Sequence, residues 1–303
     1  MNAEVLIVGG GAAGLSCALV LGRARRNVLI VDRGAPSNLA STGIGGLLGH
    51  DRYPPRAFYD TARQQVAQYP TVTTISGHVA SIHPRACARS VLLGDGSRIE
   101  AEHVVLATGM RYARPAIDGL DAFWGATAFH CPFCHGWEHR DAITVALVHD
   151  ATSLERALLL TNWTDVITAV VAPGTITTDD LHLLTTAGIH VETGTIAAVH
   201  GHDLTITSVE LADGTRLRAE ALLVPARHVT RDDLIDRAGL ELTADGHVAT
   251  DADGRTSFCH MWAIGDVADP GASVARAVAS GSTAAIAIVR DLTRIRLTSR
   301  DAI

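Results

Sequence analysis

Lysine is absent from the 303-residue chain, so all 25 basic residues are arginines, and against 32 acidic residues they leave a formal charge of -7. That sign repels nucleic-acid phosphates and anionic lipid, and excludes both as partners. Long hydrophobic runs are missing too. Gly, Arg or Asp interrupts every apolar stretch short of the roughly 20 residues a bilayer span needs, the Ala/Val-rich segment 273–289 included. Met1 runs directly into an apolar strand with no charged leader or cleavage site, which points to a cytoplasmic protein. Five cysteines are too few for a secreted disulfide scaffold, and the low charged fraction, 19% beside 47% hydrophobic, excludes a disordered chain. The length fits two medium domains.

Residues 4–8 form an apolar run, residues 9–14 a glycine turn, 15–23 a small-residue helix and 27–31 a second strand. The Gly-, Ser- and Pro-rich stretch 33–55 lacks periodicity and reads as a loop over a ligand; 56–68 regains a helical pattern. Short runs at 78–83, 90–93 and 103–106 suggest a meander rejoining the first sheet. From 143 to 224 strands and helices alternate again, and the chain then returns to a final helix. The predicted fold is α/β, with two Rossmann-like three-layer domains: residues 1–116 and 226–303 form the first, and 117–225 are inserted into it.

Three motifs carry chemistry. Gly9-x-Gly11-x-x-Gly14, with Ala13 in its last gap, lies between strand and helix, and Asp32 stands 18 positions beyond Gly14 with Arg33 after it. Such glycines permit a tight turn and let backbone N–H groups reach a pyrophosphate, while the acid can bond a ribose hydroxyl. Ala263-Ile264-Gly265-Asp266 places an acid between a strand and the last helix, either as a cap or beside a polar ligand tail. Cys131-Pro132-Phe133-Cys134 puts two sulfurs within reach of one small exchangeable disulfide, with His130, His135 and His139 around it. Zinc held by Cys131, Cys134, His135 and His139 is the competing reading, but adjacent Cys134 and His135 leave no finger-like loop. A structural disulfide is another. Phe133, Trp137 and Trp124 could wall a substrate or simply pack in the core, and Cys17, Cys87 and Cys259 read as inert.

Gly9-x-Gly11-x-x-Gly14, Ala107-Thr108-Gly109, the Cys131/Cys134 pair and Ala263-Ile264-Gly265-Asp266 together resemble the thioredoxin reductase family over nearly the whole chain. The resemblance implies FAD, held by Gly9, Gly11, Ala13, Gly14, Asp32, Arg33, Thr108, Gly109, Gly265 and Asp266. It also implies a homodimer, a flavin-proximal Cys134 and an interchange thiol at Cys131. Two departures stand out. Where the family's inserted domain has a second glycine motif, this chain reads Val148-His149-Asp150-Ala151-Thr152-Ser153-Leu154, and no arginine follows for a nucleotide 2'-phosphate. The residue after the second cysteine is His135 rather than an acid. With Cys131-Pro132-Phe133-Cys134-His135-Gly136-Trp137-Glu138, and more weakly residues 46–51, the chain resembles FAD-dependent dithiol oxidases of the gliotoxin and holomycin type. That implies oxidation of a small-molecule dithiol through Cys131 and Cys134, with O2 as acceptor and His135, pKa near 6.5, taking substrate protons, Glu138 being a candidate to orient it. An NADPH- or ferredoxin-fed disulfide reductase and a non-catalytic redox sensor are the alternatives.

Overall fold

The structure, a computed structural model, describes residues 1–84, 89–230, 233–271 and 273–300, so Cys87 lies outside the described residues. The chain forms two compact units. One holds Met1–Leu39, Arg56–Arg111 and the chain from His228 onward; the other holds Ala40–Pro55 and Tyr112–Arg227.

In the first unit, strand Asn2–Val8 runs parallel to Val28–Asp32 on one side and to Arg98–Leu106 on the other. Val72–Ser76 extends the sheet beyond Val28–Asp32, and Met261–Ala263 pairs with the end of Arg98–Leu106. The expected meander, Val79–Pro84 and Arg89–Leu93, joins the start of Arg98–Leu106 in antiparallel fashion. Side chains alternate across the sheet. Leu6, Val8, Leu29, Val31 and Leu106 enter one core, while Val5, Ile7, Ile30, Val105 and Trp262 enter the other. Burial on both faces is why residues 5–8 read as an unbroken apolar run.

Helices Ala12–Arg23 and Val274–Arg300 cover the second face, and small residues let them meet closely. Ser16 Oγ donates to the Val278 carbonyl at 2.7 Å. A Cβ at Gly281 would strike the Ala13 carbonyl oxygen and lie 3.0 Å from both the Cys17 nitrogen and Ser16 Cβ. Gly281→Val should therefore force these helices apart and cost about 1–3 kcal/mol, read as a lower melting temperature.

The second unit carries a parallel sheet in the order His190–Thr193, Ile167–Val171, Thr144–Val148, Ala221–Leu223, Ala128–Phe129. Helices Ala151–Leu159 and Thr178–Thr186 cover one face through Leu154, Ala157 and Leu184. A three-stranded antiparallel sheet, Ile196–His202, Thr205–Leu211 and Arg216–Arg218, covers the other through Val199, Ile206, Val209 and Leu211. This architecture is the two-Rossmann α/β fold. Segment 40–55, contiguous in sequence with the first unit, packs in the second. No described helix is long and apolar enough to cross a membrane.

Candidate active site

The glycine turn of the first unit is built so tightly that side chains are excluded from most of it. Gly9 has φ +108°, and a Cβ there would strike the Ala107 carbonyl; one at Gly14 would strike the Gly9 carbonyl and lie 3.2 Å from Ala107 Cβ. At Gly11 the space is open. Gly11 caps helix Ala12–Arg23 without any side-chain hydrogen bond, and no acid occupies the first turn. The helix's own cap and first turn thus set no carboxylate on its leading N–H groups, as an anion site requires. Gly10 N donates to Asp32 Oδ1 at 3.0 Å, and Asp32 Oδ2 lies 3.8 Å from Arg63 Nη2, so the acid also pins the turn. Gly265, at φ +70°, approaches so closely that a Cβ would sit 2.9 Å from that of Ala13. Half-buried Asp266 follows in a single 3-10 turn. Thr108 and Gly109 continue directly from Ala107, and Thr108 Oγ1 donates to the Gly109 carbonyl at 3.3 Å. Arg33 is exposed beside Asp32. A bare helix terminus, a turn that approaches a ligand by backbone and an acid on the neighbouring strand fit FAD.

The corresponding turn of the second unit is closed by its own side chains. Asp150 caps helix Ala151–Leu159 by accepting from Ser153 N at 2.8 Å, while Ser153 Oγ accepts from Asp150 N at 3.0 Å and from His149 N at 2.9 Å. Partial burial works against ionisation of Asp150, but the Ser153 hydrogen bonds outweigh it and hold the carboxyl below its usual range. A negative charge thus occupies the end of the helix where a nicotinamide dinucleotide would place its pyrophosphate. The residues present do not fit that cofactor.

Cys131 caps the one-turn helix Pro132–His135, with Pro132 at the first position, where its missing N–H costs nothing. Cys134 N donates to the Cys131 carbonyl at 3.2 Å, and the two sulfurs are joined in a disulfide with Cα atoms 5.3 Å apart. Among the described residues no group of three or more His, Cys, Asp or Glu side chains converges as a metal site. The other described cysteines differ. Burial pushes the Cys17 thiol up to about 12, and Cys259 is exposed.

His135 and segment 40–55 meet at the disulfide. His135 Nε2 lies 3.3 Å from Ser41 Oγ, while its Nδ1 is buried without a hydrogen-bond partner. A Cβ on Gly45 would come 2.6 Å from the Cys134 carbonyl oxygen, so only glycine lets this segment rest on the redox helix. Burial, reinforced by His139 and opposed by the Cys131 backbone, lowers the His135 pKa to about 4. The expectation of an imidazole near 6.5 is corrected accordingly: with the disulfide closed, His135 is neutral at neutral pH. An unfolded imidazole protonates near 6.5. Between pH 6.5 and 4 the unfolded chain therefore binds more protons, so stability should fall as pH drops through that window, by up to about 3 kcal/mol, and stay level above it. Melting temperatures of the wild type and His135→Gln across pH 4–8 should diverge in that sense.

Glu138 does not serve His135; it pairs with Arg52 at 3.5 Å, a second tie to segment 40–55. Ser41, 94 residues from His135 in sequence, is the neighbour that sequence reasoning missed. His139 donates from Nε2 to the Ala126 carbonyl at 2.9 Å, and burial lowers its pKa despite that bond. His130 stacks on Trp124. Phe133 and Trp137 are 70% and 56% exposed, so neither packs in a core.

Comparison with known proteins places this geometry among relatives. The family model for pyridine nucleotide-disulphide oxidoreductases matches residues 3–281. "Probable thioredoxin reductase" of Arthroderma benhamiae is 35% identical over 144 residues, 46% of this chain and 36% of that protein. "Thioredoxin reductase sirT" of Leptosphaeria maculans is 28% identical over 299 residues, covering 93% of this chain and 91% of its own. Among solved structures, the crystal structure of HlmI superposes with a TM-score of 0.91 at 35% identity, covering 100% of this chain and 98% of its own. An oxidoreductase from Agrobacterium tumefaciens gives 0.89 at 33%, covering 97% and 99%.

Proposed function

Since the chain belongs to the pyridine nucleotide-disulphide oxidoreductase family and is a thioredoxin reductase-like FAD oxidoreductase, we propose that it is a dithiol oxidase that closes disulfides in a small-molecule dithiol. The observation that carries this reading is Asp150. Its carboxylate and Ser153 occupy the helix terminus at which a reductase would hold the pyrophosphate of its nicotinamide cofactor. In this reading electrons enter from sulfur.

The proposed sequence begins at the closed Cys131–Cys134 bond. His135 takes the proton of one substrate thiol; the resulting thiolate attacks Cys131 Sγ, forming a mixed disulfide and releasing Cys134 as thiolate. The second substrate thiol then attacks the first sulfur, its proton passing to Cys131 as that thiol leaves, and the product ring closes. One disulfide has formed and the enzyme pair holds two electrons. Bound FAD would supply the two-electron chemistry that re-forms the Cys131–Cys134 disulfide with O2 as final acceptor, so that overall dithiol and O2 become disulfide and H2O2. Negative charge released on Cys134 favours protonated His135, so the imidazole retains the proton it has taken. Gly9, Gly11, Ala13, Gly14, Asp32, Arg33, Thr108, Gly109, Gly265 and Asp266 are assigned to the FAD site. In this reading the enzyme works as a homodimer in the cytoplasm.

Oxygen consumption with a panel of small dithiols, and with reduced thioredoxin, tests direction and substrate size together. Turnover with one or more small dithiols and none with thioredoxin is the expected result; turnover with thioredoxin alone would replace the small-molecule substrate by a protein.

A further inference from the structure

We infer that Ser41 is a positioning residue for His135, fixing its resting imidazole as the Nε2–H tautomer and leaving the basic lone pair on Nδ1. The inference rests on the proposed use of His135 as proton acceptor and adds which nitrogen carries the ring's proton before the reaction and what holds it there.

The hydrogen-bond inventory around Ser41 leads there. Ser41 Oγ lies 2.7 Å from the Gly43 carbonyl oxygen, which can only accept, so the single hydroxyl proton is committed to that bond. The oxygen keeps two lone pairs. One faces Gly43 N at 3.4 Å, and the other faces His135 Nε2 at 3.3 Å. With no second proton to give, Ser41 can meet the imidazole only as an acceptor, and Nε2 must be the donor. A neutral imidazole has one N–H, so Nδ1 carries the basic lone pair. The Cys131 backbone acts on the ring as an acceptor, but Nδ1 makes no hydrogen bond of full geometry, whereas Nε2 has Ser41 Oγ at 3.3 Å.

Segment 40–55 holds the hydroxyl in place. Ile44 is 4% exposed and its N–H donates to the Tyr53 carbonyl at 3.0 Å, closing the segment into a loop. Gly45 rests on Cys134, and Arg52 reaches Glu138. A neutral hydroxyl orients the ring without adding the charge that a carboxylate orienter would bring.

The test is the nitrogen spectrum of the holoenzyme labelled with 15N-histidine, the His135 signals being identified by their loss in His135→Gln. Wild type should show His135 protonated at Nε2 alone. Ser41→Ala should show exchange between tautomers and oxidise a small dithiol about five- to tenfold more slowly, while Ser41→Thr restores both. Protonation of wild-type His135 at Nδ1 overturns the inference, and needs no variant to fold. Retention in Ser41→Ala of either the single tautomer or the full rate overturns it as well. Undiminished dithiol oxidation by His135→Gln would instead overturn the proton-acceptor role beneath it, with the wild-type spectrum still deciding the contact between Ser41 and Nε2.

Discussion

Serine in place of Cys131 should leave FAD bound and dithiol-dependent oxygen uptake lowered at least about a thousandfold, because the sulfur that the substrate attacks is gone. Cys134→Ser should lose activity to the same extent for a different reason, having no second sulfur to receive the electron pair. The two variants part company with oxidised substrate. Free Cys131 in Cys134→Ser can attack a cyclic disulfide and hold it as a mixed disulfide, visible as a mass adduct on the intact protein. Cys131→Ser should form none. An adduct on Cys134 but not on Cys131 would reverse the assignment of interchange and flavin-facing sulfurs. Undiminished oxygen uptake by either variant would remove the pair from the reaction and favour a sensor whose disulfide only reports redox state.

His135→Gln should lower kcat by roughly 10²- to 10³-fold near neutral pH, the range expected on losing a positioned base. The deficit has a pH signature. Ordinary thiols ionise near 8.5, so as pH rises through that value the substrate supplies its own thiolate and the ratio of wild-type to variant rate should shrink. A ratio that stays constant from pH 6 to 10 would mean that His135 shapes the site without moving protons. Its low resting pKa is consistent with a transfer role, because an imidazole already protonated at neutral pH could not accept anything.

The layers of both units were legible because their central strands are buried on both faces and carry apolar runs, as at residues 5–8 and 169–171. The three-stranded sheet at 196–218 was not. Its strands are half exposed and short, and polar residues such as His200 and Thr207 interrupt the alternation. The glycine turn could be read because tight backbone approach leaves only glycine at Gly9 and Gly14, a constraint written directly into residue identity. The missing glycines at 149–153 were equally plain, but the capping box that replaces them needed the geometry of Asp150 and Ser153. Ser41 left no local signal at all. A serine in a Gly-rich loop is an ordinary turn residue, and only folding of segment 40–55 onto the redox helix brings it to His135. Glu138, chosen for its closeness in sequence, points to Arg52 instead, since three positions along a turning chain do not guarantee a shared direction.

The direction of electron flow is the central claim, and it can be read from flavin colour in the absence of oxygen. Anaerobic holoenzyme should keep its absorbance when mixed with NADPH or NADH, bleach on addition of a small dithiol, and regain its colour when air is admitted. Rapid bleaching by NADPH alone would contradict the account, because the nucleotide would then bind despite the helix terminus that Asp150 and Ser153 occupy.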